Sequence, residues 1–283
     1  MISIIVPAYN EEKAISETIK EIKKAMDYYE YEIIVINDCS KDKTGAILTE
    51  VKGIRVINHP YNLGYGSSIK SGIKIAKGDW IFITDADGTY PIRDMPKLIP
   101  YIKNYDMVVG SRTKKQVRIP LLRKPAKILL NILARFLTGK KIPDLNSGLR
   151  IFKKSIALEF FHLFPSKFSF TTTITLACLT NDYTVKYIPI EYYKRKGKSS
   201  IKAVDFVNFL TLITRIITYF KPFKVFFLFS AILFFIAILV FLYTGIVLNK
   251  IMDITVIVLL IASLQIFLWG LIAELIVKTK ERK

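Results

Sequence analysis

The strongest constraint on the fold lies near the C-terminus, in two long stretches that contain no charged residue. The first is 225–248, with 24 residues, and the second is 254–273, with 20 residues. Each is long enough to cross the roughly 30 Å hydrocarbon core of a bilayer. Basic residues flank the pair, whereas the turn 249–253 holds one lysine and one aspartate. The pattern predicts two transmembrane helices, about 225–248 and 254–276, in a membrane segment 223–278 with both ends in the cytoplasm.

The rest of the chain is strongly basic. The sequence has 42 lysines and arginines against 23 acidic residues, a formal charge of +19. This balance suits an anionic partner such as a phosphorylated substrate, an anionic membrane surface or a nucleic acid. The apolar C-terminus and the lack of a basic face studded with aromatic residues argue against nucleic acid. We therefore expect a phosphorylated or membrane partner.

Cysteine and histidine carry no recognisable chemistry in this sequence. Cys39 and Cys178 lie far apart without metal-ligand spacing, so we predict neither a disulfide nor a zinc site. His59 and His162 belong to no cluster, and we expect both to be structural. The chain opens on a strand-like apolar run without a signal peptide, so the N-terminal part is expected to stay in the cytoplasm.

Before residue 200, short apolar runs alternate with helical patterns. This alternation predicts an α/β domain with a mainly parallel sheet that helices cover on both faces. The predicted strands are 2–7, 32–37, 54–58, 80–84, 107–110, one entered from the loop at 144–152, and 184–192.

The stretch Trp80–Pro91 (WIFITDADGTYP) combines a buried strand with a carboxylate pair. The strand ends just before Asp85 and Asp87. In open α/β sheets, ligands bind at the carboxyl ends of the strands. Two carboxylates there suit a divalent cation that is held against phosphate oxygens. The alternative is an ordinary turn, since aspartate and glycine are common turn residues.

Two further helices have the composition of membrane-surface segments. The pattern over 127–137 has an apolar face of Ile128, Leu129, Ile132, Leu133 and Phe136. It predicts either a core-facing helix or a helix over about 124–138 that lies among lipid headgroups. The segment 201–222 contains a largely apolar helix with a polar stripe, which suggests that it rests on the membrane.

Four short motifs follow one another at the ends of the predicted strands. They are VPAYNE at 6–11, NDCS at 37–40, NLGYG at 62–66 and DAD at 85–87. In order and spacing they resemble the family 2 glycosyltransferases, whose GT-A fold is Rossmann-like. The segments 144–152 and 192–199 resemble more narrowly the dolichyl- or polyprenyl-phosphate sugar synthases, the dolichol-phosphate-mannose synthase group. The resemblance covers a GT-A domain at 1–200, and the C-terminal spans match members with a membrane hairpin.

The resemblance implies a nucleotide-sugar donor, either GDP-mannose or a UDP-hexose. Asp38 would accept hydrogen bonds from the base, and Asp85 would hold the ribose or the sugar. Asp87 would bind Mg²⁺ or Mn²⁺ that bridges the diphosphate. Thr89 stands where many members have a metal-binding glutamine, so it is a second candidate ligand. The full set implied for the donor pocket is Pro7, Ala8, Tyr9, Glu11, Asp38, Asp85, Ala86 and Asp87.

The implied acceptor explains the arginines. A lipid monophosphate is mostly dianionic at neutral pH, so it is already a nucleophile and needs no general base. It needs positioning by cations, and arginine binds phosphate through two parallel hydrogen bonds. The resemblance assigns this role to Arg112 and Arg123, and it lets Arg195 and Lys198 close over the donor diphosphate. The alternative for each is a solvated basic surface.

The loop 144–152 keeps two interpretations. Asp144, Ser147 and Arg150 match the family pattern, which implies either substrate contact or a loop held by an Asp–Arg pair.

The activity expected from these motifs is transfer of one sugar, with inversion, to a polyprenyl or dolichyl phosphate at the cytoplasmic leaflet of the cell membrane. One alternative is a family 2 transferase that acts on a saccharide or another membrane acceptor. Another is a catalytically inactive membrane scaffold of the same fold. The sequence leaves the oligomeric state open, with a homo-oligomer as one option.

Overall fold

The computed structural model describes residues 1–113, 124–166, 169–193, 215, 218–246 and 254–281. The chain divides into two compact units, Met1–Phe209 and Leu210–Lys283. Several predictions lie outside the described residues: Arg123, Arg195, Lys198, most of the juxtamembrane helix and the turn 249–253.

The first unit is built on one sheet of seven strands in the order β3-β2-β1-β4-β6-β5-β7. The strands are β1 Ile2–Ala8, β2 Tyr31–Asn37, β3 Arg55–Asn58, β4 Trp80–Ile83, β5 Met107–Ser111, β6 Arg150–Lys153 and β7 Val185–Pro189. All neighbouring strands are parallel except β6, which runs antiparallel to both β4 and β5. The predicted α/β fold with a mainly parallel sheet is confirmed.

Among its described residues, the sheet-containing unit has six α-helices. They are α1 Ile15–Met26, α2 Thr44–Glu50, α3 Tyr65–Ile75, α4 Lys124–Thr138, α5 Lys154–Glu159 and α6 Phe170–Thr180, with 3-10 turns at Ile92–Lys97, Ile99–Lys103 and Phe161–Leu163. In α1, Ile15, Ile19, Ile22 and Met26 recur every three or four residues and are all buried. This spacing places them on one face, which joins the core formed with β1 and β2.

Helix α4 buries a different face from the one that its sequence pattern indicated. Leu130, Ala134 and Leu137 are buried, at spacings of four and three residues. Ile128, Leu129 and Ile132 are each at least half exposed. The prediction of a core-facing helix is therefore wrong for these three side chains. They form an exposed apolar strip on α4.

The second unit contains two long helices, α7 Pro222–Ile246 and α8 Ile254–Glu281. Both are long and apolar enough to cross a membrane. Between them, Ser230 and Ser263 each donate a side-chain hydrogen bond to the other's carbonyl oxygen at 3.0 Å. Glu274 accepts a bond from the Phe223 amide at 3.4 Å, so a carboxylate of α8 lies at the N-terminus of α7. These contacts join the two helices into a hairpin.

Candidate active site

The strand register brings the sequence motifs to one edge of the sheet. Ala8 lies opposite Asn37, and Asn37 lies opposite Asn58. Ile83, the last residue of β4, lies opposite Ile5. Because parallel strands end at the same edge, the loops after β1, β2, β3 and β4 meet there. Antiparallel β6 begins at this edge, which adds the loop before it.

The donor-pocket residues of the first motif occupy the end of β1 and the loop behind it. Pro7 and Ala8 are its last two residues, and half-buried Tyr9 follows. The Glu11 amide donates to Thr44 Oγ1 at 2.9 Å. The loop is thereby fastened to the start of α2.

The loops after β1 and β2 are also bonded directly to each other. Asn10 and Cys39 have positive φ angles of 56° and 59°, which cost free energy for residues other than glycine. The Asn10 amide donates to Ser40 Oγ at 3.1 Å, and Asn10 Oδ1 accepts from the Lys41 amide at 2.7 Å. These reciprocal bonds offset the strain and hold the two loops in one arrangement.

Asp38 is the most enclosed carboxylate at this edge. Its Oδ1 accepts from His59 Nδ1 at 2.7 Å and from the Leu63 amide at 2.9 Å. Its Oδ2 accepts from the Gly64 amide at 2.8 Å. The Asp38 side chain is 5% exposed and that of His59 6%. Asp38 therefore fastens the turn that enters α3, whatever else it binds.

Asp85 lies between a tyrosine hydroxyl and a glycine backbone. Tyr65 at the start of α3 donates from its hydroxyl to Asp85 Oδ1 at 3.0 Å. Burial and the neighbouring Asp85 charge raise the pKa of Tyr65, so the tyrosine stays a donor. On the other side, a Cβ on Gly148 would come within 2.8 Å of Asp85 Oδ2. Asp85 is thereby confined to one position.

Asp87 is oriented by a residue two positions later. Its Oδ1 accepts from the Thr89 amide at 3.0 Å and from Thr89 Oγ1 at 2.6 Å. Both residues are buried. Ala86, directly before Asp87, is buried as well, and its carbonyl oxygen accepts from Thr18 Oγ1 at 3.3 Å. The Thr89 hydroxyl therefore acts on Asp87. Its predicted direct contact with a metal stays a prediction.

The oxygen ligands at this edge suit a hard divalent cation that also binds substrate. Among the described residues, no group of three or more histidine, cysteine or acidic side chains is placed to hold a metal. Mg²⁺ is commonly bound by one or two carboxylates together with substrate phosphates, not by a cage of protein ligands. Asp87 and Thr89 supply oxygen atoms of this kind at the sheet edge.

The Thr89 bond to Asp87 leads to a test. Thr89→Val keeps the side-chain shape but removes the hydroxyl, whereas Thr89→Ser keeps the hydroxyl. We expect Thr89→Val to lower sugar transfer by about tenfold, the effect of one hydrogen bond to a charged group. Thr89→Ser should retain most of the rate in the same assay. Equal rates for the two variants would contradict the orienting role.

Arg112, directly after β5, is held in a fixed orientation. Its Nε and Nη2 donate to the two carboxylate oxygens of Asp144 at 2.7 and 2.8 Å. The guanidinium also stacks 5.1 Å from the ring centre of Tyr192. Burial alone would raise the pKa of Asp144, but the bonds from Arg112 outweigh it and lower the pKa below its ordinary value. Arg112 thus remains a fixed cation at the sheet edge.

Asp144 should make part of the chain's stability depend on pH. Its folded pKa lies below the unfolded value, so its contribution is present above about pH 4 and is lost as pH falls further. At pH 7, Asp144→Asn should cost about 3 kcal/mol, because it leaves a largely buried guanidinium without its partner. Apparent melting temperatures of the full chain in detergent, at pH 7 and pH 3.5, check this. The difference in melting temperature between wild type and Asp144→Asn should be smaller at pH 3.5 than at pH 7. An equal difference at both pH values would contradict the lowered pKa of Asp144.

The loop 144–152 is held by an Asp–Arg pair, as one interpretation supposed, but the arginine is Arg112. Arg150 is 0% exposed and donates to the Ser147 and Thr171 carbonyl oxygens and to Thr175 Oγ1, each within 2.9 Å. Burial lowers the pKa of Arg150 from its ordinary value. Its described bonds tie the loop to α6, which is a structural role.

Several residues at this edge had no role in the sequence analysis: His59, Tyr65, Tyr90, Gly148 and Tyr192. Tyr90 Oη accepts from the Gly148 amide at 2.6 Å, and its ring packs edge-on against Tyr192 at 5.3 Å. Tyr65, Tyr90, Gly148 and Tyr192 lie inside stretches singled out in the sequence, but nothing there indicated their partners. His59 lies outside all of these stretches, and its contacts join segments far apart in sequence.

Comparison with known proteins identifies the family. The family model described as Glycosyl transferase family 2 matches residues 3–161, more than half of the chain. The chain belongs to glycosyl transferase family 2. A second model, the GtrB C-terminal hairpin, matches residues 221–279. Together with the two apolar helices, this match indicates that the chain is a membrane protein.

Two curated relatives in the family are lipid-phosphate sugar transferases by name. A dolichyl-phosphate beta-glucosyltransferase of Trichomonas vaginalis is 28% identical, over 78% of this chain and 74% of the relative. An undecaprenyl-phosphate 4-deoxy-4-formamido-L-arabinose transferase of Edwardsiella ictaluri is 30% identical, over 74% of this chain and 65% of the relative. The resemblance to this group is confirmed.

A solved structure with the same fold is glucosyl-3-phosphoglycerate synthase of Mycobacterium tuberculosis, in complex with Mn²⁺, UDP-glucose and phosphoglyceric acid. The TM-score is 0.60 at 18% identity, over 77% of this chain and 79% of that one. The similarity confirms the predicted GT-A fold. The individual site residues keep their roles as predictions.

Proposed function

We propose that this family 2 glycosyltransferase moves one sugar from a nucleotide-sugar donor to the phosphate of a polyprenyl or dolichyl lipid at the cytoplasmic leaflet of the cell membrane. The observation that carries the proposal is that the carboxylates Asp85 and Asp87 and the fixed guanidinium of Arg112 lie at the same edge of the sheet. A donor diphosphate with its cation needs the carboxylates, and an acceptor phosphate needs the guanidinium. The names of the relatives support the same kind of reaction.

The donor would lie over the ends of β1, β2 and β4. Pro7, Tyr9 and Asp38 would border the base, and Asp85 would contact the ribose or the sugar. Asp87, oriented by Thr89, would hold Mg²⁺ or Mn²⁺, and the bound cation would neutralise charge on the leaving diphosphate. The Mn²⁺ and UDP-glucose in the similar synthase support a divalent cation at such an edge.

The acceptor needs no general base. A phosphate dianion carries no proton on the attacking oxygen, so the oxygen forms its bond to the anomeric carbon directly. The bond between that carbon and the nucleoside diphosphate breaks, and its electron pair leaves with the diphosphate. A single displacement inverts the carbon, so an α-linked donor gives a β-linked lipid phosphosugar. Arg112 would fix the acceptor phosphate, and Arg123 is proposed on sequence grounds to assist it. Arg195 and Lys198 are proposed on the same grounds to close over the donor diphosphate.

The exposed strip of α4 supports a membrane contact for the catalytic unit. Ile128, Leu129 and Ile132 are exposed and apolar, and exposed Arg135 lies on the same helix. A helix with apolar and basic residues suits the headgroup region of an anionic membrane. We propose that α4 lies there, with both chain termini in the cytoplasm.

Sugar transfer from a panel of radiolabelled nucleotide sugars tests the function. Purified full-length protein in detergent would receive polyprenyl phosphate with Mn²⁺ or Mg²⁺, and polyprenol without phosphate would be the matched control. We expect one donor to label an acid-labile lipid when polyprenyl phosphate is present, and no label when polyprenol replaces it. Donor binding without labelled lipid would point to another acceptor, and no donor binding would favour the scaffold alternative. An α-linked product from an α-linked donor would refute the single displacement.

A further inference from the structure

The hydrogen bonds of Asp38 limit what its carboxylate can still accept. A carboxylate offers about four acceptor positions. Oδ1 already accepts two bonds, from His59 Nδ1 and the Leu63 amide, and Oδ2 accepts one from the Gly64 amide. At most one position therefore remains, on Oδ2. With the side chain 5% exposed, a ligand can reach the group only through a narrow opening.

Nucleobases differ in how many donors they would direct at this carboxylate. Guanine presents two adjacent donors, N1–H and the exocyclic amino group, which need both carboxylate oxygens. Uracil presents one imide N–H between two carbonyl groups. Cytosine and adenine would turn the lone pair of a ring nitrogen toward the negative charge. A carboxylate with one acceptor position therefore matches the imide edge of uracil, which thymine shares, and not guanine, cytosine or adenine.

We infer that the donor site selects a uridine nucleotide over a guanosine nucleotide, and that His59 is the positioning residue behind this selection. The inference rests on the proposed function, because it takes Asp38 as the residue that reads the base. His59 occupies an acceptor position on Oδ1 that a second guanine donor would need.

The surroundings of His59 define its hydrogen-bonding state. An ionised carboxylate only accepts, so Nδ1 carries the proton that faces Asp38. Nε2 lies 2.9 Å from Ser71 Oγ, which can donate to it. The Asp38–His59–Ser71 order resembles a hydrolase triad. Ser71, however, lies inside α3, where helical amides bond to carbonyl oxygens four residues earlier, so no amides are placed there to stabilise an oxyanion. The hydrogen-bonded chain Ser71–His59–Asp38 therefore serves to position the Asp38 carboxylate.

Nucleotide titration of the full-length chain tests the inference. UDP, GDP and CDP would each be titrated into detergent-purified protein by calorimetry, at one Mn²⁺ concentration and without acceptor. We expect UDP to bind about tenfold or more tightly than GDP or CDP, the effect of one hydrogen bond to a charged group. GDP or CDP binding as tight as UDP would overturn the inference and leave the proposed function standing. Failure to bind any of the three would refute the proposed function itself.

Two substitutions isolate the part played by His59. Asn places its amide nitrogen where Nδ1 lies, so His59→Asn keeps the bond to Asp38 and loses the bond to Ser71. Gln reaches to the place of Nε2, so His59→Gln does the reverse. We expect His59→Asn to keep the wild-type preference for UDP and His59→Gln to reduce it at least about threefold. A purely structural role would change both ratios alike, and that result would refute the assignment.

Wild-type protein provides a readout that does not depend on how the variants fold. The chain has two histidines, so ¹⁵N-histidine labelling with a His162→Gln reference assigns the His59 signals. We expect ¹⁵N shifts of the tautomer protonated at Nδ1, with a change at Nδ1 when UDP binds. A tautomer protonated only at Nε2 would overturn the role of His59.

Discussion

The Asp87→Ala variant is expected to lose metal-dependent sugar transfer by about a hundredfold or more, with the fold retained. Asp87 supplies the buried carboxylate that Thr89 orients, and its removal takes away the proposed anchor of the cation. Transfer of radiolabelled sugar to lipid phosphate, measured across a Mn²⁺ titration, checks the prediction. Far-ultraviolet circular dichroism would confirm that the variant folds.

Asp106→Ala is the matched control for Asp87→Ala. Asp106 is also hydrogen-bonded, to Lys153 and Thr184, but it precedes β5 at the opposite edge of the sheet. Its loss should reduce stability modestly and leave the dependence on Mn²⁺ unchanged. An Asp87→Ala variant with the turnover of the control would remove the metal role from Asp87.

A methyl group at position 148 is expected to lower transfer by about tenfold to a hundredfold. In Gly148→Ala the added Cβ would lie 2.8 to 3.0 Å from three atoms of the Asp85 carboxyl group. The carboxylate must move, and a displacement of about 1 Å of a positioning group can cost about a hundredfold in rate. Steady-state kinetics of the transfer, with donor affinity measured separately, would locate the loss.

The same change in a helix provides the comparison for Gly148→Ala. A Cβ on Gly45, in α2, would meet only the Asn37 side chain at 3.4 Å, an ordinary contact. Gly45→Ala should therefore leave the rate unchanged and raise stability slightly, since alanine is the better helix former. Normal turnover in Gly148→Ala would show that Asp85 does not need its confined position.

Much of the fold could be predicted because it depends on local patterns. The apolar run before Asp85 predicted β4, and the uncharged stretches predicted α7 and α8 with small differences in their ends. The antiparallel direction of β6 had no such signal, since strand direction depends on which strands become neighbours. Its consequence is large, because it brings the loop with Gly148 against Asp85.

Helix α4 shows where a periodic pattern misleads. The sequence placed Ile128, Leu129 and Ile132 on the apolar face, yet the helix packs through Leu130, Ala134 and Leu137. Both sets are apolar at helical spacing, so periodicity cannot tell which one meets the core. The docking surface provided by the rest of the unit made that choice, and α6 is one of its contacts.

The sequence by itself determined the elements, the family and the identity of the acidic motif, because strand and helix periods, uncharged spans and motif order are properties of neighbouring residues. Only the tertiary structure decided the partners: His59 on Asp38, Tyr65 on Asp85, and Arg112 on Asp144. These contacts join residues 20 to 32 positions apart. Their geometry depends on the order and register of the strands, which short-range preferences do not encode.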